Sequence, residues 1–449
     1  MSVRAIVLAA GKGTRMKSAR PKVLHELCGR PMLWYALRAL RSANVLDVTV
    51  VTSAEVSELV AEVALAAGQG EARAVLQEPQ LGTGHAVQIA LAGLEPREGQ
   101  VVVLYGDMPL VDEELLSAAM AACGGALALV TARMPLPSAF GRIVREGEQV
   151  ARIVEARDAT KEELDIDEMN AGVYVYDEAK LREAVAGLNN DNAQSEYYLT
   201  DTVGHFARAG HRISPVLARD YRNVLGVNDR VELAAAAALL NRRLCEQHMR
   251  AGVTIVDPAT TYLEPDLILA PDVTIWPNTS LKGNTAIGAH SEIGPNARLR
   301  NARIGEHAVV TESTIVDSGI GDFSYVGPWA HVRAGTEIGT GARIGNFVEI
   351  KKSHLAPGVK ASHLTYLGDT TVGERSNIGA GTITANFDGV SKHRTTIGRD
   401  VKIGSNSVLV APVKLGDRSM TGAGAIVLRD VAEDERVVGN PARPLPRKQ

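Results

Sequence analysis

Aromatic residues are scarce in this chain, at 4% of 449 positions, and cysteine is scarcer still, with isolated copies at Cys28, Cys123 and Cys245. Three thiols so spaced form neither a disulfide framework nor a zinc motif, which points to a reducing, cytoplasmic setting. Long apolar runs are also missing. No window approaches the roughly 18 apolar residues that a membrane-crossing helix needs. The apolar stretch from Ala5 to Ala10 is too short for a secretory core and leads straight into Gly11-Lys12-Gly13-Thr14-Arg15, so it reads as a first strand. Neither sign of charge dominates: Lys+Arg 48 face Asp+Glu 52, a net charge of −4. Without a basic block to track a duplex, nucleic acid is excluded as a partner, as is membrane, and small molecules are expected. The length accommodates two large domains or about three average ones.

Two periodicities divide what is there. Up to residue 229, strand-length apolar runs (Val3 to Ala9, Val48 to Val51, Val101 to Leu104, Ala126 to Val130) alternate with helical stretches (Leu33 to Ser42, Val56 to Ala67, His85 to Ala92). That alternation predicts an α/β domain with a mostly parallel sheet, whose ligands sit beyond the carboxyl ends of the strands. Residues 230–250 are rich in Ala, Leu and Arg and predict a connecting helix, with Asn228 or Asp229 as its cap and Gly252 past its end. From 251 to 449 an aliphatic residue recurs every six positions, as in Ile287, Ile293 and Leu299; Val326, Val332, Ile338, Ile344 and Ile350; Val372 and Ile378; and Ile397, Ile403, Leu409 and Leu415. Neither a helix nor a simple half-buried strand has that period, whereas short strands joined by sharp corners do, which predicts a parallel β-helix. The usual crossover rule favours a right-handed coil. Lys352 to Thr371 reads as an insertion that interrupts the repeat and carries His354, His363, Tyr366 and Asp369.

The segment Leu8-Ala9-Ala10-Gly11-Lys12-Gly13-Thr14-Arg15-Met16, followed by Pro21-Lys22, places a glycine-rich turn after the first strand. Backbone N–H groups there can approach phosphate oxygens while Arg15 and Lys22 neutralise charge. It lacks the third glycine of the dinucleotide fingerprint and the terminal Gly-Lys-Ser/Thr of the P-loop. A glycine loop alone is equally an ordinary turn. Asp107, in Tyr105-Gly106-Asp107-Met108-Pro109, follows the strand ending at Leu104 and could take a cation or simply form a turn.

The full string around Gly11 is more specific. It resembles the signature of nucleotidyltransferases that join a sugar 1-phosphate to a nucleoside triphosphate. From Val3 to about Val431 the chain resembles the bacterial bifunctional N-acetylglucosamine-1-phosphate uridyltransferases/glucosamine-1-phosphate acetyltransferases. The resemblance implies an N-terminal Rossmann-like nucleotidyltransferase domain with a mixed sheet and a C-terminal left-handed parallel β-helix of hexapeptide repeats. It implies that Leu8, Ala9, Ala10, Gly11, Arg15, Lys22, Gln77, Gly82 and Thr83 hold UTP. Tyr105, Gly106, Gly141, Glu155, Asn170 and Asn228, with Tyr198 and Thr200, would form the sugar-phosphate pocket, and Asp107 and Asn228 would ligate Mg²⁺. Two protein donors suffice for Mg²⁺, which keeps waters and takes phosphate oxygens.

For the second half, Ala361-Ser362-His363-Leu364-Thr365-Tyr366-Leu367-Gly368-Asp369 matches the family's acetyl-transfer loop, which implies His363 as general base; histidine titrates in the range such a step needs. Arg333, Lys351, Tyr366 and Asn377 would hold the sugar phosphate of that site, and Ala380, Asn386, Phe387, Ser405 and Ala423 would line the acetyl-CoA groove. Two positions depart from the family's common pattern: Phe387 stands where it commonly has tyrosine, and Asn440 where it often has arginine, whose charge toward the coenzyme phosphates Arg443 in the tail could supply. The implied product is UDP-N-acetylglucosamine, which feeds cell-wall and lipopolysaccharide precursors, and the implied assembly is a homotrimer. Two other readings stay open: a nucleotidyltransferase with a passive β-helix, and a nucleotide-sensing scaffold without catalysis.

Overall fold

The apolar run after Met1 forms the strand Ser2–Ala9, flanked in parallel by Asp47–Thr52 and Gly99–Tyr105. The computed structural model describes residues 2–70 and 72–444. The chain divides into two compact units, residues 1–240 and 241–449. In the first, Ile6 and Leu8 join Val87, Leu181, Val203, Tyr176 and Phe206 in one core, while the helix Met32–Ser42 packs with Val60–Ala66 and Glu113–Ala122 in a second group. Alternate side chains of a strand point to opposite faces, so both faces of the sheet are apolar and covered.

The sheet is mostly parallel, as expected, and a reversed strand in its middle makes it mixed. The strand Glu168–Asp177 runs antiparallel between Gly99–Tyr105 and Leu127–Arg133, and Ile213–Leu217 closes that edge in parallel. A hairpin, Arg142–Glu146 with Gln149–Val154, extends from it. Nine of the ten residues of Glu168–Asp177 are buried, so polar alternation does not reveal it. The expected helix over Val56 to Ala67 is split into Ala54–Ser57 and Val60–Ala66.

The helix Arg230–Arg250 spans the division between units. Asp229 is its cap, accepting the N–H groups of Val231 and Glu232 at 2.8 and 2.9 Å, which leaves the Asn228 side chain for other work. In the second unit, Asn241 donates to the Thr261 carbonyl and accepts the N–H of Leu263, fastening the helix end to the first coil.

Three parallel sheets build most of the second unit, and as far as the strand Thr395–Ile397 each strand pairs with the strand three before it. Every aliphatic residue of the six-residue repeat from Ile287 to Leu415 is buried. Each coil therefore covers the apolar face of the last, and stability accumulates by stacking. Many corner residues adopt the left-handed backbone conformation, among them Asn296, Trp329, Phe347, Leu364 and Asn406.

The segment from Lys352 to Thr371 is not an insertion. Ile350, Leu355, Ala361, Leu367, Val372 and Ile378 all point inward, and the strands His354–Leu355, Lys360–His363, Tyr366–Gly368 and Thr370–Val372 keep the three-sheet order. Two corners are one residue shorter, which shifts the period without breaking the coil. The true excursion lies between Ile383–Ala385 and Thr395–Ile397, where Phe387 bridges Lys392 in an antiparallel hairpin. Among the described residues no helix is long and apolar enough to cross a membrane.

Candidate active sites

In the first unit, the carboxyl ends of three neighbouring strands bring the predicted residues together. Leu8 pairs with Tyr105, and the Gly106 N–H continues the ladder to the Leu8 carbonyl at 2.9 Å. Asp107 is thereby set beside the turn that follows Ala10. The Val227 N–H bonds to the Asp107 carbonyl at 2.9 Å and brings Asn228 alongside. The Lys22 ammonium contacts the Asp107 carboxylate and donates to Asn228 Oδ1 at 2.8 Å. Arg15 donates to the same oxygen at 2.8 Å. Gly13 makes this approach possible, since a Cβ there would stand 2.5 Å from Lys22 Cβ. Two cationic side chains and two oxygen donors thus converge next to exposed backbone at Gly11, the electrostatic pattern of a phosphate and cation site.

Gln77, Gly82 and Thr83 form one rim. Gln77 Nε2 donates to the Gly82 carbonyl at 2.9 Å, and Thr83 Oγ1 accepts the Leu199 N–H at 3.0 Å. Gly82 has φ +109°, and a Cβ there would meet the Tyr197 carbonyl oxygen at 2.6 Å. Gln80, absent from the sequence reading, donates to the Ala10 carbonyl at 2.5 Å and ties this rim to the glycine turn.

Tyr105 links that rim to the second half of the pocket. Burial pushes its phenol above the ordinary tyrosine range, and the nearby charges of Glu155 and Asp107 add to the shift. Thr200 donates to Glu155 Oε1 at 3.0 Å, and Asn170 N–H bonds to the Gly141 carbonyl at 2.8 Å. Glu155 is therefore no free surface charge; burial raises its pKa. Asn170 Nδ2 donates to the Tyr174 hydroxyl at 2.7 Å. The Tyr198 hydroxyl instead accepts from Gln194 at 2.8 Å and lies 3.5 Å from Asp158. Among the described residues no group of three or more His, Cys, Asp or Glu could hold a metal ion; the oxygen donors at Asp107 and Asn228 are a carboxylate and an amide.

In the second unit, Arg333, Lys351 and Tyr366 stand on adjacent strands of one sheet: Arg333 pairs with Lys351, and Tyr366 with Glu349. Arg333 donates to Glu349 Oε1 at 2.6 Å. Lys392, from the hairpin, lowers the Lys351 pKa by its closeness and its like charge. Lys392 was missed because its place on this face depends on a hairpin without repeat. Gly368 leaves room for the Tyr366 hydroxyl and the Asn386 amide, which a Cβ there would meet at 2.4 and 2.7 Å.

His363 is exposed at the corner between two sheets, its Nδ1 2.8 Å from Asn346 Oδ1. Asn346 was also missed, although the sequence held a signal: it lies 17 residues earlier, one coil beneath. Backbone bonds continue this corner upward, from Gly381 N–H to the His363 carbonyl, Asn406 N–H to Ala380 and Gly424 N–H to Ser405. The structure accordingly lines Ala380, Ser405 and Ala423 in one column ending at His363. Asn386 donates to Asp369 Oδ2 at 2.6 Å, and Phe387 projects from the hairpin, 58% exposed. Asn377 stands apart; it pairs with Lys360, at the opposite end of the strand that closes with His363. Asn440 follows the strand Arg436–Val438, with which Arg443–Pro444 pairs; residues 445–449 of the basic tail lie outside the described residues.

A family model described as the MobA-like NTP transferase domain matches residues 5–191, and one described as bacterial transferase hexapeptide (six repeats) matches residues 317–352 and 394–429. The chain is similar to the "Bifunctional protein GlmU" of Corynebacterium jeikeium, at 45% identity over 96% of this chain and 90% of that protein. Those of Lactococcus lactis subsp. cremoris strain MG1363, 44% identical over 98% of this chain and 96% of theirs, and Thermobifida fusca, 45% identical over 95% and 89%, carry the same name. The β-helix has the left-handed sense of hexapeptide-repeat transferases, contrary to the crossover rule, which governs long connections that pack back onto a sheet and not corners of a few residues. With identity at this level over nearly its whole length, the chain belongs to the GlmU family of bifunctional proteins.

Proposed function

We propose that this chain acetylates glucosamine 1-phosphate with acetyl-CoA in its β-helix unit and uridylylates the product with UTP in its α/β unit, releasing pyrophosphate. The observation that carries the reading is that each unit holds its own cation-lined site: Lys22 and Arg15 at Asp107 and Asn228 in one, Arg333 and Lys351 near His363 in the other.

For uridylyl transfer, an oxygen of N-acetylglucosamine 1-phosphate attacks the α-phosphorus of UTP, and the bond to the leaving pyrophosphate breaks. The nucleophile is already ionised, so no general base is needed, and positioning with charge neutralisation lowers the barrier. The backbone of Leu8 to Gly11 and the rim of Gln77, Gly82 and Thr83 hold the nucleotide. Tyr105, Gly106, Gly141, Glu155, Asn170 and Thr200 line the sugar pocket, with Tyr198 at its margin. Asp107 and Asn228 suit Mg²⁺: Lys22 already shows a cation held between their oxygens, and hard oxygen donors match that ion. When bound, Mg²⁺ would supply further neutralisation of phosphate charge, while Lys22 and Arg15 turn to the triphosphate.

For acetyl transfer, Asn346 Oδ1 accepts a hydrogen bond from His363 Nδ1–H and leaves Nε2 as the base. That nitrogen removes a proton from the sugar ammonium and passes it to solvent; the amine attacks the thioester carbonyl; the nitrogen of the tetrahedral adduct then gives its surplus proton to Nε2, and the adduct collapses to the amide and expels the CoA thiolate, which takes that proton from the imidazolium. Arg333, Lys351 and Lys392 grip the sugar phosphate with Tyr366 beside them, and the column of Ala380, Ser405 and Ala423, flanked by Asn386 and Phe387, guides the pantetheine arm. Arg443 offers a cation for the coenzyme phosphates in place of the missing one at Asn440. The separation of Asn377 from this cluster supports a homotrimer, in which a second copy brings its own Asn377 to the sugar. A soluble, cytoplasmic enzyme fits a chain whose three cysteines, Cys28, Cys123 and Cys245, are spaced for neither a disulfide framework nor a zinc motif.

Glucosamine 1-phosphate, acetyl-CoA, UTP and Mg²⁺ supplied together test the reading when free thiol and pyrophosphate are followed separately. Both products are expected, thiol before pyrophosphate. Pyrophosphate from added N-acetylglucosamine 1-phosphate with thiol absent would leave a nucleotidyltransferase with a passive coil.

A further inference from the structure

The hairpin that leaves the coil after Ala385 carries Lys392 to a place that its charge disfavours. The Asp369 N–H bonds to the Lys351 carbonyl at 3.0 Å and the Asp369 carboxylate holds Asn386, at the base of the hairpin, so Lys392 is brought to the side of the coil that carries Lys351, where its like charge lowers the Lys351 pKa and repels. Something other than electrostatics must hold it there in the free protein. At the hairpin base, the His393 N–H bonds to the Asn386 carbonyl at 2.8 Å, and the Asn386 side chain is tied to Asp369. At the tip, one carboxylate gathers three donors. Asp388 Oδ1 accepts the N–H groups of Val390 and Ser391 at 2.8 and 2.7 Å, and Oδ2 lies 2.6 Å from His393 Nε2. These bonds hold the Asp388 carboxyl well below the usual carboxylate range. His393 directly follows Lys392, so fixing its ring fixes the peptide from which Lys392 projects.

We propose that the Asp388–His393 pair is a positioning clamp that holds Lys392 beside Lys351 and thereby sets the affinity of the β-helix site for its phosphate-bearing substrate. The inference rests on the reading of that site as one for an amino-sugar phosphate. Neither Asp388 nor His393 touches the substrate; both act through Lys392. Two ammonium groups and a guanidinium preorganised in the free protein bind a dianion more tightly than the same groups on a slack hairpin, because the ordering cost is met before binding.

The test measures thiol release by the full-length enzyme against glucosamine 1-phosphate, with pyrophosphate formation from added N-acetylglucosamine 1-phosphate and UTP as the control for folding. His393→Ala is expected to raise KM about fivefold, the size of one lost hydrogen bond, while kcat changes less than twofold. His393→Gln, whose amide nitrogen can donate to Asp388, is expected to restore most of the affinity. In a Lys392→Ala background, His393→Ala is expected to have no further effect, as a double-mutant cycle requires of a residue that works through another. An unchanged KM in His393→Ala, or the same fivefold rise in the Lys392→Ala background, overturns the clamp. A Lys392→Ala variant with unaltered KM also overturns it, while a raised KM in Lys351→Ala shows that the site itself stands. If the unmodified enzyme releases no thiol, the reading of the site falls first and the clamp falls with it.

Discussion

Removing the Asn346 side chain offers a measure of how far His363 depends on its support. Asn346 Oδ1 lies 2.8 Å from His363 Nδ1, and an acceptor there fixes the tautomer that leaves Nε2 unprotonated. His363 is exposed, so water can replace the lost partner; what the ring loses is orientation. A neutral hydrogen bond of this kind contributes about 1 kcal/mol, and Asn346→Ala should therefore lower kcat for thiol release about fivefold. His363→Ala removes the base itself and should lower it about 10²- to 10⁴-fold. The double variant should be no slower than His363→Ala alone, because the amide has nothing left to orient. A thiol-trapping assay at saturating acetyl-CoA and glucosamine 1-phosphate reads all three, with pyrophosphate formation from UTP and separately supplied N-acetylglucosamine 1-phosphate unchanged throughout. A His363→Ala enzyme that keeps more than a tenth of its activity would refute the assignment, and an additive loss in the double variant would refute the coupling.

Asp107→Ala should reduce pyrophosphate formation roughly 10²- to 10³-fold, the scale of losing one preorganised electrostatic group, and leave thiol release intact; equal loss of both activities contradicts two separate sites. Glu155 has a folded pKa raised by burial above its ordinary value of 4.5, so the folded protein retains a proton that the unfolded chain gives up. Its contribution to stability accordingly falls as pH rises from about 4.5 through the raised value. Glu155→Gln should gain Tm over the unmodified protein across that window and hold the gain above it, and a Tm difference independent of pH would count against the shift. Gly82→Ala places a Cβ against the Tyr197 carbonyl at φ +109°. It should raise KM for UTP about tenfold by displacing the rim without altering acetyl transfer, and an unchanged KM would show that the rim does not contact nucleotide.

Much of the architecture is a local matter and was therefore legible. One inward aliphatic per short strand is a rule that each hexapeptide obeys by itself, so Ile287 to Leu415 announced the coil before any contact was known. The glycine turn after the first strand and the strand preceding Asp107 were legible for the same reason. The repeat misled where two corners lose a residue: the change of spacing between Lys352 and Thr371 resembled an insertion, although every strand is present. Handedness came through resemblance, since periodicity is the same in either sense.

The identity of the repeat, the presence of a phosphate-suited turn and the division into two scaffolds were written in the sequence, because each depends on neighbours within a few residues. Convergence was decided by the tertiary fold. Lys22 and Asn228 share an oxygen contact across 206 positions, Glu168–Asp177 enters the sheet against its neighbours, and Lys392 reaches Lys351 through a hairpin outside the period. Such meetings follow from long-range packing, in which burial selects among many arrangements with similar local preferences. A linear pattern holds no record of that choice.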